Sequence, residues 1–178
     1  MSGNALYARW GWTTAAAIAV FAVLAWIDLK LKAESGFGTV DLQKVATAAG
    51  VRTIMTAWIP ARHALMAGFN LGFDYLFMPL YGFAFYYGTL AARQRFAPAP
   101  GTIHRLLTLL AAVPLAGAVF DAAENALETC MVVAAPTDQL AQIAYAATTA
   151  KMVCFYVGAF MSLVGLIGLF VRRRKAGA

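Results

Sequence analysis

Asp121, Glu124, Asn125 and Glu128 stand at i, i+3, i+4 and i+7 in the stretch VFDAAENALETC, residues 119–130. They follow the apolar run LLTLLAAVPLAGAVF with no turn signal between. On a helix that spacing makes a single stripe. In an earlier apolar segment Asn70 and Asp74 are four apart, on a face continued by Phe77, Met78 and Tyr81. One amine, Lys151, opens a later apolar run. Carboxylates crowded in a low dielectric repel, so at least one must hold a proton or pair with Lys151. Such a set suits proton transfer, an ammonium-bearing or hydroxylated ligand, or a polar lock between helices. Asp74, Asp121 and Glu124 are the candidate proton carriers for acid–base catalysis. The candidate ligand-binding set is Asn70, Asp74, Phe77, Tyr81, Asp121, Glu124, Asn125 and Lys151.

Other chemistries find little support. His63 and His104 fall about one span apart and cannot share a metal or haem within the chain. There is no phosphate-cradling glycine loop, no nucleophile elbow and no H-x-x-x-H pair. The acidic stripe lacks the Glu-x-x-His partners of a di-iron bundle. Cys130 and Cys154 are the only cysteines and form no C-x-x-C pair, so two buried thiols are expected instead of a disulfide or zinc site. No metal is expected and no cofactor is named.

The elements that must position these residues are membrane helices. Of the 178 residues 62% are hydrophobic and 12% charged, with mean hydropathy +0.69, about half the usual charge density of a soluble domain. Four apolar segments, at about 10–28, 64–92, 104–128 and 141–171, can each supply the roughly 20 residues that cross hydrocarbon. In lipid their backbone groups must bond internally, which makes them helices. The first has no clean cleavage site after it and reads as an uncleaved span. The expected fold is all-α: a single membrane domain, residues 1–178, built as a polytopic four-helix bundle. Between the first two spans, about 36–60, Leu42, Val45, Ala49, Val51, Ile54, Met55 and Trp58 recur near helical spacing, with Gly50 interrupting and Pro60 stopping the run. That pattern fits an amphipathic helix lying on the outer surface or capping the bundle, or an ordinary extramembrane helix packed on loops.

Charge placement sets orientation. The 93–105 connection carries Arg93, Arg95 and Arg105, the 126–142 connection has no Lys or Arg, and the chain ends in RRRK, Arg172 to Lys175. Both termini are therefore expected in the cytoplasm of a bacterial inner membrane. The first outer loop dissents with Lys30, Lys32, Lys44, Arg52 and Arg62. The basic tail also suits anionic lipid headgroups, and nucleic acid is not an expected partner.

Counting from the cytoplasmic belt, Asp28, Asp74, Asp121 and Lys151 lie about 24 to 32 Å along their spans, so each helix offers one ionisable group at a similar height. Apolar sequence continues beyond them, as in MVVAA after Glu128, which favours an inward orientation. Pro79 and Pro114 lie inside the second and third spans and are expected to kink them, freeing the carbonyls of Tyr75 and Leu110. The aromatics of the second span surround it, with packing the expected role for most of them. Gly158, Gly165 and Gly168, with Ala159 and Ser162, offer close helix contact in the fourth.

The segments TVDLQKVATAAGVRTIMTAW, LGFDYLFMPLYGF and VFDAAENALE, in this order, resemble a group of small, uncharacterised bacterial four-span integral membrane proteins. That resemblance covers most of the chain and implies no known activity. WIDL after the first span, the aromatic, proline-containing second span and the acids of the third are similar in architecture to the EXPERA superfamily of sterol isomerases and the sigma-2 receptor. There an apolar pocket with acidic residues opens toward one leaflet; Lys151 departs from that pattern. The expected function is a binding or accessory protein that holds a lipid-like ligand or a partner transmembrane helix, in the bilayer and alongside other membrane subunits. The alternatives are an intramembrane acid–base enzyme on an apolar substrate and a proton or cation carrier.

Overall fold

The computed structural model describes the backbone of residues 3–176 and the side chains of residues 3–170. The basic tail, Arg172 to Lys175, lies outside the described side chains. The order of elements is α1 (Gly3–Ser35), α2 (Thr39–Leu42), α3 (Ala48–Ala57), α4 (Ala61–Phe96), α5 (Thr102–Val133) and α6 (Asp138–Ala176). No strand occurs among the described residues. Each long helix extends beyond the apolar segment that announced it, because helix-forming residues continue past the charged positions.

Three helices, α1, α5 and the Asp138–Phe170 part of α6, are long and apolar enough to cross a membrane. Their outer faces carry large apolar side chains such as Trp12, 78% exposed, and Leu109, 71% exposed. Water tolerates few such surfaces and hydrocarbon accepts them. With 36 residues α4 has the length, but Asn70, Asp74 and four tyrosines dilute its apolar character. Pro79 and Pro114 do not break α4 and α5, which continue as helix through them.

The chain divides into two compact units, each drawing segments from the four long helices. One comprises Met1–Ala17, Pro79–Ala118 and Lys151–Ala178; the other comprises Ile18–Met78 and Val119–Ala150.

In the first unit, Leu6, Leu90, Ala91 and Ala111 form the buried apolar core, flanked by Tyr7, Trp10, Tyr86 and Tyr87. Helices α4 and α6 pack through small residues. A side chain added at Gly165 would meet the carbonyl oxygen of Gly88 at 2.5 Å and the Ala92 nitrogen at 3.2 Å. Only glycine permits two backbones to approach so closely. Gly158 faces Phe85, and Gly168 faces the stem of Arg95.

In the second unit the connection after α1 is folded into the core. Gly36 takes a left-handed φ of 87°, which lets the chain turn off α1 without a Cβ clash. The Ser35 hydroxyl donates to the carbonyls of Leu31 and Phe37, both at 2.8 Å. The Trp58 indole N–H also donates to the Phe37 carbonyl at 3.0 Å. The sequence suggests one helix over this connection, interrupted at Gly50; the structure has two, separated by residues 43–47. The break falls earlier because the Thr47 hydroxyl accepts the Gly50 amide at 3.2 Å and starts α3 there. Gly50 lies in the first turn, where a Cβ would strike the side chain of Val45. Leu42, Val51, Ile54 and Trp58 are buried with Leu31, Ala67, Met131, Ala141 and Ala144. The apolar side of the connection is thus closed against protein.

Candidate functional site

The buried polar groups of the second unit centre on α5. Asp121 is 4% exposed, Glu124 and Asn125 are 0% and Glu128 is 1%. Met131, one turn further, joins the apolar core. The stripe therefore faces the interior, as its spacing requires, while Val119, Phe120 and Val133 on other faces are exposed.

Asn125 joins this stripe to α4. Its Nδ2 donates to Asp74 Oδ2 at 2.9 Å and to the Leu71 carbonyl at 3.2 Å. Two acceptors around one atom identify it as the amide nitrogen. The Asn125 Oδ1 is buried and finds no hydrogen-bond partner among the described residues. A buried amide oxygen without a donor costs about 1–3 kcal/mol. The centre of the stripe is therefore rich in oxygen acceptors and suited to a donor, either a hydroxyl or an ammonium group.

Asn70 belongs to a different network. It is 5% exposed, and its Nδ2 donates to Thr39 Oγ1 at 2.9 Å and reaches the Leu24 carbonyl at 3.5 Å. Thr39 Oγ1 in turn donates to Asp28 Oδ1 at 2.9 Å, and the Val40 amide donates to the same oxygen at 3.1 Å. A four-residue spacing puts Asn70 and Asp74 near one face, yet their hydrogen bonds go to different helices. Asn70 ties α4 to α1 and α2, whereas Asp74 ties α4 to α5. The sequence pattern placed Asp28 in the charged layer and missed Thr39; the signal was its position directly after the GFG turn. Gly38 is needed there, because a Cβ would run into the Asp28 carboxylate.

The remaining candidates separate by unit. Phe77 lies in the second unit and its ring packs on Phe21 of α1, centroids 5.6 Å apart. Tyr81 and Lys151 belong to the first unit. Tyr81 is 3% exposed and meets the ring of Phe155 edge-on at 5.4 Å; Phe85 completes that cluster at 4.9 Å from Phe155. Lys151 is buried, 7% exposed, and a Cβ at Gly117 would approach its carbonyl at 3.6 Å.

Both cysteines are free, but Cys130 is exposed, which corrects the expectation of two buried thiols. It lies on α5 two positions past Glu128, off the buried stripe. No group of three or more His, Cys, Asp or Glu side chains arranged to hold a metal occurs among the described residues.

At the surface of the second unit, Asp41 receives Lys32 at 2.9 Å, Lys44 at 3.7 Å and the Gly38 amide at 3.0 Å. Partial burial pushes its carboxyl upward, but the amide and the two ammonium groups outweigh this and hold it below its usual value of 3.8. Arg62 meets Glu34 at 3.1 Å, and the Arg52 guanidinium reaches the Pro136 carbonyl at 3.4 Å. Lys30 lies over the Trp26 ring, 5.2 Å from its centroid, so all five cations that dissent from the orientation rule have local partners.

No protein-family model matches the chain, and no curated protein or solved structure does so either.

Proposed function

We propose that the protein is a four-span integral membrane protein of the bacterial cytoplasmic membrane, with α4 as its fourth span and both termini in the cytoplasm. It serves as a binding or accessory protein, and the polar stripe of α5 holds the amine or hydroxyl head of a lipid-like ligand. Length and exposed apolar surface support three of the spans, and the absence of Lys and Arg from the 126–142 connection supports the orientation. The observation that carries the binding reading is the buried Oδ1 of Asn125, which has no hydrogen-bond partner among the described residues and lies among buried carboxylates. Polar groups at membrane depth are costly and mark functional sites. The same carboxylates would serve an acid–base enzyme or a proton carrier. An amide oxygen accepts a hydrogen bond but transfers no proton near neutral pH, and this favours binding.

Native mass spectrometry of the gently extracted protein tests the reading. The expected result is a retained small molecule with an amine or hydroxyl head, at least tenfold depleted in a folded Asp121→Asn variant, since a charge-assisted hydrogen bond contributes about 1.5–3 kcal/mol. A wild-type protein that runs clean and alone would remove the support for a bound ligand.

A further inference from the structure

A second region of the molecule has a different chemistry. Leu6, Leu90, Arg93, Gln94, Pro98 and His104, all of the first unit, line a cleft of about 310 Å³. That volume sits at the lower end of small-molecule sites, about 300 to 1,000 Å³. We infer that this cleft binds a phosphate group, and that the phosphate is the headgroup of an anionic phospholipid.

Three observations carry the inference. The first is charge: every one of the eight Asp and Glu residues lies in the second unit, whereas the first holds Arg9, Arg93, Arg95, Arg105, Lys151 and Arg172 to Lys175 with no acid at all. Arg93 therefore has no carboxylate of its own unit to pair with. The second is an orphaned donor. Arg93 gives one terminal nitrogen to Thr108 Oγ1 at 2.8 Å, but its Nε is buried and without a partner among the described residues. An anion satisfies a guanidinium through more than one N–H, which neutral acceptors rarely do.

The third is the arrangement of helix ends. His104 lies in the first turn of α5, so that helix begins at the cleft, and Leu6 brings α1 to it. Gln94 sits beside the first described residue of α1, within 3.4 Å of where a Gly3 side chain would be. Helix N-termini present unpaired amides and favour anions. The C-terminus of α4 brings carbonyls to the same place, but its last turn carries Arg93 and Arg95, and the His104 Nδ1 is 2.8 Å from the Ala97 carbonyl. That nitrogen is therefore the donor, and the bond holds the imidazole ring in place at the wall of the cleft. Leu6, Leu90 and Pro98 add apolar wall. Free phosphate has no use for such a wall, whereas the glycerol and first methylenes of a lipid do; this selects the lipid.

The test uses full-length protein and native mass spectrometry with dioleoylphosphatidylglycerol or dioleoylphosphatidylcholine, lipids that share acyl chains and a phosphate but differ in net charge. Wild type should retain one phosphatidylglycerol with about tenfold preference. Arg93→Gln should bring the two lipids to parity. Arg105→Gln removes an exposed cation that does not line the cleft and should keep the preference. Millimolar inorganic phosphate should neither raise the unfolding temperature of wild type held in phosphatidylcholine nor displace phosphatidylglycerol from wild type loaded with it; displacement would reassign the site to a soluble phosphate. Equal retention of both lipids by wild type, or equal loss in Arg93→Gln and Arg105→Gln, overturns the inference. The wild-type comparison decides this even where a variant does not fold.

Discussion

At the residue scale the molecule turns on Asn125. One amide nitrogen serves an α4 carboxylate and an α4 carbonyl at once, and the side chain is fully buried. Replacing it with Ala leaves the Leu71 carbonyl and Asp74 Oδ2 without that donor, at a cost of about 1–3 kcal/mol. Thermal unfolding in detergent should show Asn125→Ala well below wild type. An unchanged midpoint would mean that water or another group replaces the amide. The inward turn of this stripe was legible in the sequence, because a helix with apolar faces leaves one place for polar residues at i, i+3, i+4 and i+7. The partner of Asn70 was not. Spacing along α4 says which residues share a face, but the acceptor Thr39 arrives on a connection whose path depends on Gly36 and Gly38, and no periodicity records that path.

At the element scale, the close approach of α4 and α6 depends on absent side chains. A Cβ at Gly165 meets backbone atoms of α4 that cannot swing aside. Overpacking of this kind costs about 1–3 kcal/mol. Gly165→Ala should therefore lower the midpoint of thermal unfolding clearly, while Gly11→Ala in α1, where a Cβ meets nothing within 4 Å, should hold or raise it. Equal effects would show that helix propensity, and not contact, governs both positions. The small residues of α6 were readable as a packing face; their partners, Gly88 and Ala92, lie in the run GTLAA just past the aromatic stretch, where the neighbouring rings drew the reading instead. The four long helices were legible from hydropathy. Their ends were not, since α1 runs seven residues past Asp28 and α4 begins at the residue after Pro60.

At the scale of the whole molecule, the segregation of acids into one unit is the property that sequence order hides most completely. The units interleave along the chain, so counting charges by position mixes them. Within the second unit, Lys32, Lys44 and Arg62 pair with Asp41 and Glu34, whereas the first unit contains no such acids. The proposed four-span topology puts the α4–α5 connection and the α5–α6 connection on opposite sides of the membrane. Cysteines introduced singly as Gly101→Cys and Ala135→Cys, in a protein lacking Cys130 and Cys154, should report this. In intact spheroplasts an impermeant maleimide should label the second and spare the first until the cells are opened. Labelling of both positions from outside would exclude α5 as a membrane crossing.

The Ala48 amide that opens α3 donates to Asp138 at 2.7 Å, across ninety positions of chain. The core around α3 likewise includes Ala141 and Ala144. During synthesis the early connection therefore leaves the ribosome long before the residues that cover it exist. Until α6 begins to emerge, Leu42, Val51, Ile54 and Trp58 have only part of their final surroundings, and a nascent chain halted before residue 138 offers those greasy side chains to whatever chaperone or insertion machinery stands nearest.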